Sequence, residues 1–475
     1  MSDKKNSTDV AIIGAGPGGY PCAFLAADLG LNVTLIDPEE NPGGVCLYRG
    51  CIPSKALLHS AKVITEAEHA SNLGIEFGKP KINIEKLRGW KDQVVQKLVG
   101  GLGQLSKQRN ISYIRGRAEL LNSNTLIIKK VGGEEEELTF ERAVIATGSR
   151  PSSIPSFPES PHILNSTTAL DLPGIPETML VVGGGYIGLE LGTVYASLGT
   201  KVFVVEMTSG LMPGVDRDLV RVLQKSSESI YEAIMLDTKV IGIEETENGL
   251  TVSFEGKDGS KTKSSFDKVL VSVGRKPNSE GLGLENTKIQ IDEAGFIKVN
   301  EERRTTEPAI FAIGDVAGEP MLAHKATHEG RVVAEILSGK KSAFEPAAIP
   351  AVVFTDPEIA WCGLTESEAK EKNIPVKVAR FPWGASGRAK TLDRQDGATK
   401  LIVDPETERV LGMGIVGPGA GELIAEGVLA IEMAALASDI ELSIHPHPTL
   451  SETVMESAEV FYGHSTHVYK PKRKR

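Results

Sequence analysis

Cys46 and Cys51 lie five positions apart in GGVCLYRGCIPSK and are two of only four cysteines in a chain of 475 residues. A zinc site needs about four ligands. No second thiol pair exists elsewhere, so a metal clip is disfavoured. MSDKKNSTDV lacks an apolar signal core, which leads us to expect a cytoplasmic protein. In that reducing compartment a purely structural bridge is disfavoured too, which leaves a redox-active pair. The thiolate is the reactive form, and an ordinary thiol is only slightly ionised near neutrality. SKALLHSAKVITEAEHA follows at once and reads as a helix, whose positive N-terminus would favour the thiolate.

A cycling dithiol needs an electron partner. DVAIIGAGPGGYPCAFLAADLGLNVTLID carries Gly14-x-Gly16-x-x-Gly19 between an apolar strand and a helix, and its second strand ends at Asp37. Gly14 makes the tight turn, Gly16 admits a pyrophosphate, and Gly19 lets helix and strand approach. The pyrophosphate sits on the helix N-terminus, and Asp37 can accept hydrogen bonds from ribose hydroxyls. Pro21 falls in the first turn of that helix, where a missing N–H costs little. The pattern recurs in TMLVVGGGYIGLELGTVYASLGTKVFVVE as Gly183-x-Gly185-x-x-Gly188, with Glu206 in the place of Asp37. Two fingerprints mean two dinucleotides, a flavin that stays bound and a nicotinamide that exchanges. The Glu206 carboxylate would repel a 2′-phosphate, which favours NAD over NADP.

The cycle also needs a proton partner. HPHPTLSE offers His447, with Glu452 to orient its ring. Thr449-x-x-Glu452 reads equally well as a capping box for the last helix. Spacing alone leaves both open.

These groups must be positioned by more than one core, because the chain is too long for a single one. ERAVIATGSRP is a strand ending in the turn Thr147-Gly148-Ser149, and IFAIGDVAG is another ending in Gly314-Asp315. Asp315 could bind a ribityl or ribose hydroxyl or simply form an Asx-turn. Both strands look like later contributions to the first nucleotide-binding domain. The expected organisation is α/β: residues 1–150 form that domain, 151–275 a second one inserted into it, and 276–349 its completion. Residues 350–475 read as a separate α+β domain, with AVVFT, ATKLIV and RVLGMGIVG as strands and a long helix from Glu422 to Ala437. KSSESIYEAI reads as part of a surface helix. The net charge of −11 argues against general nucleic-acid binding, and no apolar run is long enough to span a membrane. The basic tail KPKRKR reads as a solvated end.

From Asp9 to about Tyr462 the chain resembles the pyridine nucleotide–disulfide oxidoreductases, and within them the flavoproteins that oxidise protein-bound dihydrolipoamide with NAD. The resemblance rests on GAGPGGY, GGVC…GCIPSKALLH, ATGSRP, GGGYIGLELG, VGRKPN, IFAIGDVAG, PMLAHKA…EG, FPW…SGRA and HPTLSE. It implies two Rossmann-like domains, for tightly bound FAD and for NAD, a C-terminal dimerisation domain, and no metal. Cys51 would be the sulfur against the flavin and Cys46 the interchange thiol. Lys55 and Glu190 would pair near flavin N5. Asp315 would hold the ribityl chain and Asp37 the adenosine ribose, with Thr147, Gly148 and Ala323 also on FAD. Gly185, Glu206, Gly274 and Arg275 would contact NAD. His447 would be the acid–base group, reaching the disulfide of the other subunit in a homodimer with shared active sites. The implied partners are the lipoyl domain of an acyltransferase, or a glycine cleavage carrier protein, and the peripheral subunit-binding domain of an acyltransferase core.

Rival readings fit less well. A glutathione reductase would show a lysine at Ser54 and basic residues near Glu206. A mercuric reductase would carry a further thiol pair near the C-terminus, whereas the last cysteine is Cys362. A non-catalytic flavoprotein subunit is the reading from outside catalysis. Cys22 and Cys362 read as buried structural thiols. The departures from the family are Tyr48, where asparagine is usual, and Arg49. The expectation is that Arg49 lowers the pKa of Cys46 and that Tyr48 alters the loop or the substrate channel.

Overall fold

Runs such as Val10–Ile13 and Leu180–Val182 are apolar on both faces, the pattern of strands covered on both sides. In the computed structural model, which describes residues 6–247 and 249–469, these runs form the centres of two parallel sheets. Ser7–Ile13 lies between Val33–Asp37 and Glu135–Ile145, with Ser112–Asn122 outside the former and Ile310–Ala312 outside the latter. Thr125–Lys130 joins the far ends of Ser112–Asn122 and Glu135–Ile145 as an antiparallel meander. The second sheet repeats the plan. Thr178–Val182 lies between Lys201–Val205 and Lys268–Val271, with Ala233–Met235 and Ile163–Asn165 at the edges. Its meander is a separate antiparallel sheet of Thr238–Thr246, Gly249–Gly256 and Lys261–Phe266.

The chain leaves the first unit through Ser149–Pro151 and returns through Arg275–Pro277. These two segments pair antiparallel, Arg275 against Pro151 and Pro277 against Ser149, so exit and re-entry form one two-stranded neck. A third, antiparallel sheet follows, in the order Ala351–Val353, Ile359–Gly363, Val410–Val416, Ala398–Val403, Lys377–Pro382. Its core gathers Phe381, Trp383, Leu401 and Ile415 with Ile424, Val454 and Phe461 from the helices. Lys400 of this sheet is buried and donates to Asp216 Oδ2 (2.6 Å) and Asp218 Oδ1 (2.8 Å) of the second unit and to Glu366 Oε1 (2.8 Å). That ammonium ion fills the acidic cluster Asp216, Asp218 and Glu366.

Two expectations need correction. The long helix from Glu422 to Ala437 is two helices, Ala420–Glu432 and Ala437–Leu442. Between them Ala434 is left-handed (φ 55°), and the backbone turns aside to bond the strand edge, Val410 N donating to Ala435 O and Ala437 N to Glu408 O. KSSESIYEAI is helical only to Ile230. Tyr231 is buried, its hydroxyl donating to Leu189 O (2.8 Å), and Ala233–Met235 is the edge strand beside Phe203–Val205. Among the described residues no helix is long and apolar enough to cross a membrane. The KPKRKR tail lies outside the described residues.

Candidate active site

The redox segment is built on the first fingerprint. Gly44 opens a short helix, Gly44–Arg49, with φ 58°, and a Cβ there would come within 2.4 Å of Gly16 Cα. The segment therefore rests on the phosphate-binding turn, and only glycine permits the approach. Cys46 lies in this short helix, and Cys51 is the first residue of the next, Cys51–His69. The two cysteines are free thiols. A hydrogen bond from the Cys46 thiol brings the Cys51 pKa down to about 7, against burial and with help from the Lys55 ammonium. The same bond, with burial, pushes the Cys46 thiol up. The pair is thus polarised, Cys51 toward the thiolate and Cys46 toward the thiol.

Both sulfurs line a cavity of about 640 Å³. Gly14, Gly16, Asp37, Thr147 and Gly148 line it from the first unit, as do Asp315 and Ala323 from the returning chain. Lys55, Glu190 and Arg275 complete the wall. Asp37 is buried, which raises its carboxyl, yet it accepts from Ala15 N (2.7 Å) and Glu39 N (3.0 Å). Gly19 lies behind the turn, where a Cβ would stand 1.8 Å from Gly14 O. The glycine cradle, the buried acid and the long slot ending at two thiols fit FAD, whose pyrophosphate needs close backbone and whose ribose needs an acceptor.

The Lys55–Glu190 pair joins three parts of the molecule. Lys55 Nζ donates to Glu190 Oε2 (2.8 Å), to which Ser54 Oγ also donates (3.2 Å). Phe354 N, just past the first strand of the third sheet, donates to Glu190 Oε1 (3.0 Å). The Phe354 ring lies under the Lys55 ammonium at 4.4 Å. Sequence reasoning had no access to Phe354, because its contribution is a backbone N–H. It also passed over Ser149, whose Oγ donates to Asp315 Oδ2 (2.5 Å) and accepts from Arg275 Nε (2.7 Å). Glu329, fully buried, accepts from Gly314 N (2.6 Å) and so fixes the turn that presents Asp315; Lys325 and Arg303 balance its charge. The only sequence signal for it was a glutamate–glycine pair inside a helix.

The glycines of the second fingerprint and Glu206 stand outside this cavity, although Tyr186 and Ile187 between those glycines line it. Glu206 accepts from Gly184 N (2.7 Å) and Thr208 N (2.8 Å), and Gly188 packs on Gly183 O. No atom lies within 4 Å of a Cβ built on Gly185, or on Gly274 in the loop before the neck. Arg275 turns toward the first unit, its guanidinium on Ser149.

His447 and Glu452 also lie outside the cavity. His447 Nδ1 and Glu452 Oε1 are 2.9 Å apart, and Thr449 N donates to Oε2 (2.8 Å). One carboxylate therefore orients the ring and closes the turn before the helix, but the capping box expected of Thr449 and Glu452 does not form: the N-cap is Ser451, and the Thr449 hydroxyl donates to Pro446 O. The helix begins at Glu452 itself, so the acceptor of the Thr449 N–H is the first helical residue and not the third, as a capping box requires. Burial works against its charge, but the Thr449 N–H and the imidazole hold Glu452 below the usual carboxylate range. The His447 side chain is 75% exposed, whereas that of His445 is 7% exposed and bonded to Glu426.

Arg49 does not act on Cys46 as expected: its guanidinium is paired with Glu39, and the cation acting on Cys46 is Lys55. Cys22 and Cys362 are buried, and burial lifts each to about 12.

Residues 8–330 match the family described as pyridine nucleotide-disulphide oxidoreductase, and residues 349–458 match that family's dimerisation domain. The chain is 49% identical to the dihydrolipoyl dehydrogenase of Vibrio cholerae over 475 residues, covering 99% of both chains. It is 47% identical to the dihydrolipoyl dehydrogenase of Haemophilus influenzae, covering 99% of this chain and 98% of that one. Among solved structures it resembles LpdA from Mycobacterium tuberculosis, with a TM-score of 0.88, 28% identity, and 95% and 99% of the two chains covered. A Cu(II) complex of the flavoprotein disulfide reductase RclA from Escherichia coli aligns with a TM-score of 0.85 at 28% identity, over 96% and 99%.

Proposed function

The chain belongs to the pyridine nucleotide-disulphide oxidoreductase family, and on that premise we propose that it oxidises protein-bound dihydrolipoyl groups to the cyclic disulfide and reduces NAD. The observation that carries the reading is the polarised Cys46–Cys51 pair on the wall of a slot that begins at a dinucleotide fingerprint. The full-length likeness to dihydrolipoyl dehydrogenases supports the substrate. Bound FAD supplies a two-electron carrier between a dithiol and a pyridine nucleotide.

The chain's own residues account for the sulfur chemistry. In the oxidised protein Cys46 and Cys51 form a disulfide. A substrate thiolate attacks Cys46 Sγ, the Cys46–Cys51 bond breaks, and Cys51 leaves as the thiolate favoured by Lys55. The second substrate thiolate attacks its own partner sulfur in the mixed disulfide. Cys46 departs and takes up a proton, and the substrate leaves as a disulfide. The two exchanges release two substrate thiol protons: one ends on Cys46 and the other on His447, which passes it to solvent, with Glu452 holding its Nδ1 so that Nε2 is the working nitrogen. The exposure of His447, its absence from the lining of its own cavity and the dimerisation-domain match support service to the dithiol of a second copy. Asp37 and the Gly14 turn suit FAD, and Glu206 suits NAD without a 2′-phosphate. The lipoyl group would come from an acyltransferase or a glycine cleavage carrier, with docking on a peripheral subunit-binding domain.

The test compares NAD reduction by dihydrolipoamide with NADPH-dependent reduction of glutathione disulfide. Activity in the first alone is expected; activity in the second alone would overturn the assignment. His447→Gln should lower dihydrolipoamide turnover by about 10²–10⁴, the usual worth of a general acid–base group, and leave flavin bound.

A further inference from the structure

Tyr48 and Arg49 separate the two catalytic sulfurs in sequence, yet both side chains reach away from them. The Tyr48 hydroxyl donates to Asn41 O (3.0 Å) and accepts from Asn41 N (3.2 Å). Arg49 is ion-paired with Glu39, and its guanidinium lies over the Tyr48 ring at 5.8 Å. Glu39 and Asn41 belong to the loop that leaves the second strand at Asp37, and Glu39 N is one of the two donors that hold the Asp37 carboxylate. The loop is anchored on other sides as well: Tyr113 donates to Glu39 O (3.1 Å), and the Asn41 side chain fills the space where Gly103 has no Cβ. The Tyr48 ring itself packs with Leu47, Val95 and Val99. Glu39 and Arg49 line the same cavity wall as Asp37 and Cys46.

We propose that Tyr48 and Arg49 are positioning residues that latch the helix carrying the interchange thiol to the loop receiving the cofactor's ribose, so that flavin retention and Cys46 exposure are coupled. The inference rests on the flavin reading above and adds to it which residues hold the far end of the slot closed. A three-point link, two hydrogen bonds and one ion pair, ties the Cys46 helix back onto the loop, across the short connection through Pro42 and Gly43 that joins them in the chain. The loop cannot swing outward to release the ribose without carrying the Cys46 helix with it. Side chains that are 41% and 27% exposed make the ion pair a modest contributor. The two part-buried hydrogen bonds of the tyrosine hydroxyl add a comparable share.

The test uses purified holoprotein and two readouts: flavin release, followed by free-flavin fluorescence after dilution into a mild chaotrope, and alkylation of Cys46 by iodoacetamide in the reduced holoprotein. Arg49→Met and Glu39→Gln should each speed flavin release about threefold to fivefold, the rate equivalent of roughly 1 kcal/mol. The double variant should release flavin no faster than either single one, because both remove the same pair. Tyr48→Phe keeps the packed ring and should act in the same direction, and Arg49→Lys should restore most of the wild-type rate. Cys46 alkylation should quicken in parallel. Release at the wild-type rate in every variant would overturn the latch and leave the functional reading intact. Additive effects of Arg49→Met and Glu39→Gln, or faster release with unchanged alkylation, would also overturn it. A wild-type protein that holds no flavin would overturn both readings.

Discussion

Asp37 and Glu206 occupy equivalent places in the two nucleotide-binding units, and each makes the same two bonds. Each carboxylate accepts from the residue after the first fingerprint glycine, Ala15 or Gly184, and from the residue two beyond itself, Glu39 or Thr208. Both acids are buried to the same degree. The strand order around them is also the same. What differs is the cover. Over the first turn lies Gly44 with the redox helix, and the returning chain closes the slot with Asp315 and Ala323. Over the second, Gly185 faces open space, and Met207, next to the acid, is 69% exposed. The fingerprint makes a recess for a pyrophosphate, and the segments laid across it decide whether the ligand stays or exchanges.

The largest effects should come from the glycine that seats each helix. A Cβ on Gly19 would stand 1.8 Å from Gly14 O, and one on Gly188 would stand 2.5 Å from Gly183 O. Overpacking of this kind costs about 1–3 kcal/mol and displaces backbone. Gly19→Ala should yield protein with at least about tenfold less bound flavin, read from visible absorbance per chain. Gly188→Ala should keep its flavin and raise the KM for NAD by about tenfold. Flavin loss in both variants would erase the distinction between the units.

The acids give the next effect. Glu206→Gln leaves one of the two backbone donors facing an amide NH₂, a loss of about 1–3 kcal/mol, which should raise the KM for NAD by about tenfold. With the negative charge gone, the preference for NADH over NADPH should narrow, since the repulsion of a 2′-phosphate is removed. Asp37→Asn makes the same change in the first unit, and there the expected readout is faster flavin release at unchanged KM for NAD.

The glycine turns, the acids and the thiol pair were legible in the sequence because each needs a particular residue type at a fixed spacing, and no neighbour elsewhere in the chain can substitute for it. Features that depend on a distant partner were not. The helix expected from Glu422 to Ala437 breaks because the edge at Glu408–Val410 recruits its backbone, and nothing local marks that. Tyr231 leaves its helix to bond Leu189, a residue 42 positions away. Glu190 is held partly by Phe354 N, and a backbone donor has no sequence signature. Arg49 was assigned to Cys46, three positions away in sequence, whereas a guanidinium on a long flexible side chain is governed by the carboxylate it meets in space, here Glu39.

The smallest effect tests the place where the two units meet. Lys55 comes from the helix that begins at Cys51, and Glu190 from the helix that follows the second fingerprint. Lys55 lowers the Cys51 pKa and Glu190 raises it, so one ion pair applies opposite pulls to one sulfur. Lys55→Met should move the Cys51 midpoint upward from about 7, and the thiolate is then lost at a higher pH as the solution is acidified. Glu190→Gln should move it downward, both by removing a negative charge and by leaving the ammonium uncompensated. The measurement is the pH titration of the long-wavelength charge-transfer absorbance in reduced holoprotein, or of thiolate ultraviolet absorbance in the flavin-free form. Shifts of opposite sign would show that the second unit, which contributes Glu190 to the wall of the slot, sets the poise of the sulfur inside it. Shifts of the same sign would mean that the pair acts only as a brace, and the contrast between a closed unit and an open one would then be one of cover alone.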